Sequence, residues 1–221
     1  MPNTRTLCAA LLLAVSCTGH GADAVSLPAP DTEGGRLSVE EALQQRRSRR
    51  RYGSGPLTLE EAGQLLWAAA GVTSARGFRT APSAGALYPF TVYLVVSEVE
   101  GLEPGAYIYD PEDHALEPSA AGDLGGRLME ACLGQEWVGE AAASIVLAAD
   151  YGVTTSVYSS RGEMYVHMEA GHISQNIYLQ CEALGLGTVA VGAFRPADVA
   201  GLLDLPEGLE ALYVMPVGRL P

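Results

Sequence analysis

The apolar positions of this chain follow two periods. Across 162–184, Val166, Ala170, Ile173, Ile177, Cys181 and Leu184 recur at spacings of 4, 3, 4, 4 and 3, which is one face of a long helix. Glu169, His172 and Asn176 form a polar row beside that stripe, and Gly185 and Gly187 stop it. Two further helices announce themselves by capping boxes, Ser38-Val39-Glu40-Glu41 and Thr58-Leu59-Glu60-Glu61. The first runs into a group of arginines and is broken by Gly53-Ser54-Gly55-Pro56. The second puts Ala62, Leu65, Leu66 and Ala69 on one face and stops near Gly71. Helices are also predicted over 123–134 and from Pro196 onward. β-branched or short apolar runs predict strands at 91–96, 144–149, 188–191 and 209–214. A hairpin joins 107–109 to 115–117 around Asp110-Pro111-Glu112-Asp113. Residues 72–89 read as loop. There is no regular βαβ alternation and no internal repeat, so the order predicts one α+β domain.

The first 24 residues have the form of an export signal. Arg5 precedes a short apolar run over 7–15, too short to span a bilayer, and small residues follow. Two cleavage readings compete. Ala22-Asp23-Ala24 has the A-x-A form, whereas Ala14-Val15-Ser16-Cys17 has the form of a lipobox and would make Cys17 a lipid-bearing N-terminus. The chain is therefore expected to be exported, either periplasmic or lipid-anchored at Cys17; a misplaced start ahead of a cytoplasmic protein is the competing reading. Residues 25–37, rich in Pro, Asp and Gly, read as a flexible leader. No later segment is apolar for long enough to cross a membrane.

Charge changes the picture more than overall composition does. The 221 residues carry a net charge of −13. All of the cationic side chains other than histidine are arginines, since there is no lysine. Schiff-base lysine chemistry and a Walker-type phosphate loop are thereby excluded. Arg46, Arg47, Arg49, Arg50 and Arg51 fall within six positions, interrupted by Ser48. Guanidinium groups packed so closely repel one another and suit a phosphate, which they bind in bidentate geometry. A solvated basic face at a helix end is the alternative. Nucleic acid is disfavoured, because the basic character does not continue and the molecule as a whole is anionic. The four histidines and the cysteines Cys132 and Cys181 show no metal-ligand spacing, and the two cysteines read as buried thiols.

Ahead of the first strand lies Pro82-Ser83-Ala84-Gly85-Ala86-Leu87-Tyr88-Pro89, whose small residues would let backbone N–H groups approach a flat or anionic ligand. Taken with Arg46-Arg47-Ser48-Arg49-Arg50, with Glu169-Ala170-Gly171-His172-Ile173-Ser174-Gln175-Asn176, and with the run from Leu184 through Gly192-Ala193-Phe194, this octet makes residues 38–221 resemble the FMN-dependent nitroreductase superfamily. The similarity is greatest to its SagB-type branch, which includes the azoline dehydrogenases.

The resemblance implies an α+β fold with a mixed, mostly antiparallel sheet, surrounding helices and a long central helix. It implies a homodimer with FMN in two interface clefts. Arg46, Arg47, Ser48 and Arg50 would hold the phosphate and ribityl chain. Pro82, Ser83, Ala84, Gly85 and Leu87 would line the flavin from the other subunit. Val191, Gly192 and Ala193 would run along the ring, and Arg219 would reach the phosphate. It further implies ping-pong electron transfer to a small acceptor such as a quinone or nitroaromatic. The azoline dehydrogenases carry a Lys-Tyr pair where this chain has Val157 and Tyr158. The base is missing, and Tyr158 remains as the candidate proton donor. A fold that kept its ligand site but lost turnover is the rival expectation. His172, Trp67 and Trp137 are expected to pack rather than to act.

Overall fold

The computed structural model describes residues 24–33 and 35–221. Residues 1–23, which hold Cys17 and all but Ala24 of the signal segment and the two cleavage readings, lie outside the described residues. Seven strands form one sheet in the order β1 (Val25–Ser26), β4 (Ala115–Ala121), β3 (Gly105–Asp110), β2 (Phe90–Val96), β5 (Ala143–Asp150), β7 (Leu209–Arg219), β6 (Leu186–Thr188). Every ladder in it is antiparallel, so the sheet is not mixed.

The sheet is covered on both faces. Along β2, Val92, Leu94 and Val96 enter one core, shared with α2 (Leu59–Ala70) and the stripe of α6 (Arg161–Leu184). Tyr93 and Val95 point the other way, into a core shared with α3 (Gly125–Ala131) and α7 (Pro196–Leu203). Alternate side chains leave opposite faces of a strand, so a strand buried on both sides reads as an unbroken apolar run. The α6 stripe is buried as predicted, with Val166 and Ile177 at 0% exposure. Cys181 lies in the first core and Cys132 in the second, and both are free thiols.

Both capping boxes form, at Ser38 for α1 (Val39–Gln45) and at Thr58 for α2. The arginines, however, do not continue α1. Arg46 is its C-cap, and the chain then runs extended beside the sheet, where Arg49 N–H donates to Thr188 O at 2.8 Å and Gly53 N–H to Arg219 O at 2.9 Å. The predicted helix over 123–134 stops at Ala131, because Leu133 and Gly134 take positive φ, and a separate turn α4 (Glu136–Gly139) follows. A helix not foreseen, α5 (Tyr151–Tyr158), is capped by Asp150, whose carboxylate accepts from Gly152 N–H. Its Thr, Ser and Val content gives it little helical preference of its own.

The strand predicted at 188–191 is β6, ending at Thr188; beyond it only Val191 pairs, with Val214. The last strand instead runs five residues further than predicted, through Pro216. Pro216 O accepts from the Tyr52 hydroxyl rather than from a strand. The missing N–H of Pro216 is on that same side, so no ladder bond is lost. The predicted leader makes contacts with the domain. Val25–Ser26 pairs with β4, Leu27 N–H donates to His114 O, and Asp31 and Gln64 exchange two hydrogen bonds.

Candidate functional site

In the extended arginine segment, Arg46 and Ser48 turn toward Tyr178 of α6: the Arg46 guanidinium carbon lies 5.1 Å from the ring centroid and the two hydroxyls are 3.0 Å apart. Arg50 lies 5.6 Å from the Trp137 ring. Glu182 of α6 accepts from the Arg47 backbone N–H at 3.0 Å and sits 3.9 Å from Arg49 Nη2. Arg49 Nε is buried without a partner among the described residues. The segment is clamped by Tyr52, whose ring rests on Gly218; a Cβ there would meet Tyr52 Cγ at 2.7 Å, so only glycine permits this approach.

Tyr178 also reaches the second predicted strip. Its hydroxyl accepts from Ala190 N–H at 2.8 Å. Beyond it Val191 is held by Val214, Ala193 O accepts from Gln135 Nε2 at 2.8 Å, and Arg195 N–H donates to Ala131 O at 2.9 Å. Between these anchors the N–H groups of Gly192, Ala193 and Phe194 have no partner among the described residues. Gly192 and Ala193 are exposed. Arg46, Ser48, Val191, Gly192 and Ala193 are thus brought to one side of the second half of α6.

The loop bearing Pro82, Ser83, Ala84, Gly85 and Leu87 is elsewhere. It lies against the first half of α6 as a short 3-10 turn (Ala84–Ala86). Tyr88 N–H donates to Ser83 Oγ at 2.9 Å and Leu87 N–H to Ala84 O at 3.3 Å, while Pro82 is exposed. Gly85 takes φ +62°, and a Cβ there would stand 2.8 Å from the Tyr158 hydroxyl oxygen. Tyr158 therefore projects over the loop from the end of α5, propped edge-on by Tyr165 at 5.1 Å. Beneath the loop is Glu169, 4% exposed. Burial pushes its carboxyl up to about 7, with the Ser83 hydroxyl and the Arg79 guanidinium drawing it back down. Glu169 and Tyr178 are nine residues apart on α6, about 14 Å along the axis. Within one chain the loop and the two strips are therefore separate.

Two predicted phosphate ligands are differently employed. Arg47 Nη1 donates to the carbonyls of Gln44 and Arg46 at 3.0 and 2.7 Å, satisfying the orphan carbonyls at the end of α1. Arg219 pairs with Glu61 at 2.5 Å and donates through Nε and Nη2 to Pro56 O. Its guanidinium serves as a bracket between β7 and α2, because Glu61, placed by the capping box, is the nearest anion. Three residues of the site were not legible in sequence: Tyr178 and Gln135 are ordinary helix and turn residues there, and Glu169 was read only as a helix contact. His172 is exposed, and Asn176 Nδ2 donates to Ala68 O at 3.1 Å and Thr80 O at 3.3 Å, tying α6 to the end of α2. No three histidine, cysteine or acidic residues converge on a metal position among the described residues, and no helix among them is long and apolar enough to cross a membrane.

A family model described as the nitroreductase family matches residues 43–219. A Methanocaldococcus jannaschii protein assigned as a nitroreductase is 45% identical over 197 residues, spanning 89% of this chain and 98% of its own. The crystal structure of a Ralstonia eutropha JMP134 protein so assigned is 33% identical, covers 90% of each chain and superposes with a TM-score of 0.78. The NADPH:FMN oxidoreductase of Vibrio harveyi, at 23% identity and a TM-score of 0.59 over 82% of this chain and 68% of its own, shares the fold.

Proposed function

Because the chain belongs to the nitroreductase family, we propose that it is an FMN-dependent oxidoreductase that passes two electrons at a time from a donor to a small acceptor such as a quinone or nitroaromatic. The observation that carries this reading is Tyr178. It joins the guanidinium–hydroxyl strip of Arg46 and Ser48 to a strip whose Gly192, Ala193 and Phe194 N–H groups have no partner among the described residues.

The residues present fit the flavin. Arg46, Ser48 and Arg50 offer charge-assisted donors to a phosphate, and in the same segment Arg49 Nε is buried without a partner among the described residues. Gly192, Ala193 and Phe194 offer N–H groups to a ring edge. When bound, the flavin would supply the two-electron chemistry. The Pro82–Leu87 loop would close the site from a second copy of the chain, which accords with its separation of about 14 Å from the strips in one chain. Tyr158 Oη, over that loop, would hold the proton available to a reduced acceptor.

The finer reading within the family is one of acceptor reduction. Val157 is 59% exposed and carries no base. A positioned base contributes about 10²–10⁴-fold to proton abstraction, so azoline oxidation should be slow. The further proposal that the protein is exported rests on the first 24 residues. The test is the visible spectrum of the purified mature protein loaded with FMN. Flavin bands that bleach with a reductant and return on adding a quinone support the reading. Rapid azole formation from a thiazoline peptide without quinone reduction overturns it.

A further inference from the structure

The α3–α4 turn touches both strips of the candidate site, and nothing in the resemblance gives it a role. Gln135 is half-buried on this turn. Its amide nitrogen donates to two carbonyls, Cys132 O at 2.7 Å and Ala193 O at 2.8 Å. The first bond closes the end of α3, and the second crosses 58 positions of sequence to the 191–195 strip. Two residues on, the Trp137 ring lies under the Arg50 guanidinium at 5.6 Å. Arg195 adds a third tie, donating from Nη2 to Glu130 O at 2.7 Å.

We propose that Gln135 is a positioning residue of the flavin site, holding the Ala193–Phe194 peptide in the orientation that presents its N–H to the cofactor. The peptide bonds of the chain are trans, so C=O and N–H of one peptide point in opposite directions. A donor that fixes Ala193 O on the side of the turn therefore fixes Phe194 N–H on the other side. The strip is pinned at Val191 by Val214 and at Arg195 by Ala131. Between those pins, the Ala193–Phe194 peptide, which carries the Phe194 N–H, is held by Gln135 among the described residues. Without it, the Ala193–Phe194 peptide is free to rotate. The proposal rests on the reading that this strip borders FMN.

The experiment compares the full-length wild-type protein with Gln135→Met, which keeps the side chain's length and removes both donors. FMN affinity is read by fluorescence titration, and the bound flavin by its visible spectrum and midpoint potential. Loss of one ordered donor should weaken FMN about threefold to tenfold and shift both the bands and the potential. A purely structural residue would lower the melting temperature and leave spectrum and potential unmoved. If Gln135→Met does not fold, Gln135→Asn carries the same test, since its amide is one methylene short of Ala193. A wild-type protein that binds no FMN overturns the flavin reading and this proposal together. A wild-type protein that binds FMN, with a variant of equal affinity, spectrum and potential, overturns the positioning role alone.

Discussion

The hydroxyl of Ser48 lies 3.0 Å from the hydroxyl of Tyr178. The two residues are 130 positions apart, yet this contact organises the candidate site, because the same tyrosine oxygen also accepts from Ala190 N–H. One oxygen thus fixes the relative position of the arginine strip and the 191–193 strip. Tyr178→Phe keeps the ring under Arg46 and deletes both bonds. Each contributes about 0.5–1.5 kcal/mol. The variant should melt at a lower temperature and bind FMN more weakly than wild type; unchanged values for both would show that Tyr178 is only packing.

The arginine segment is tested directly. Arg46→Ala combined with Ser48→Ala removes one guanidinium and one hydroxyl from the strip. Charge-assisted contacts are worth ~1.5–3 kcal/mol each, so FMN affinity should fall roughly tenfold or more. Equilibrium titration of the double variant giving the wild-type affinity would sink the phosphate assignment.

Glu169 makes stability depend on pH with a definite sign. Its folded-state value, about 7, is above the ordinary 4.5, so the native state holds the proton more tightly than the unfolded chain. Its contribution is complete below about pH 4.5, declines as pH rises toward 7, and is lost above it. The swing is on the order of 3 kcal/mol. Glu169→Gln cannot ionise. Denaturant melts at pH 5 and pH 8 should show wild type losing ground to the variant at the higher pH; a difference independent of pH would place the carboxyl in a solvated setting.

Gly85→Ala tests the loop under Tyr158. A residue with a Cβ adopts φ +62° at a cost of about 1 kcal/mol. The added methyl also meets the Tyr158 hydroxyl at 2.8 Å. The single variant should be destabilised, and Gly85→Ala with Tyr158→Phe should recover part of the loss in a thermal melt. No recovery would mean that the backbone conformation alone sets the cost.

The separation of the Pro82–Leu87 loop from the two strips predicts a homodimer that is required for tight flavin binding. Val39, Leu43, Met164 and Met168 expose 44–66% of their surface on α1 and α6, which suits burial against a second copy. Light scattering at micromolar concentration should report twice the chain mass. A monomer that binds FMN tightly would contradict a shared site.

The sequence by itself determined the periodic and capped elements. The 4-3-4-4-3 spacing runs along the buried face of α6 from Val166 to Cys181 and ends on the half-buried Leu184. Both capping boxes form, and the apolar run of β2 is buried on two faces. These are local signals, because period and cap chemistry are properties of a few neighbouring residues. The density of arginines over 46–51 was equally legible, since charge needs no fold to be counted. What each arginine does was decided only by tertiary structure. Arg47 bonds the end of its own helix, Arg219 is taken by Glu61, and Arg46 and Ser48 meet Tyr178. The helix at 151–158 forms against its own weak propensity because Asp150 caps it and α6 packs on it. The last strand passes Pro216 because no partner strand needed that N–H. Gln135 reaches Ala193 and Glu169 is buried beneath Ser83's loop for the same kind of reason. Contacts across 58 and 86 positions come from how the helices stack on the two faces of the sheet, and no local pattern encodes them.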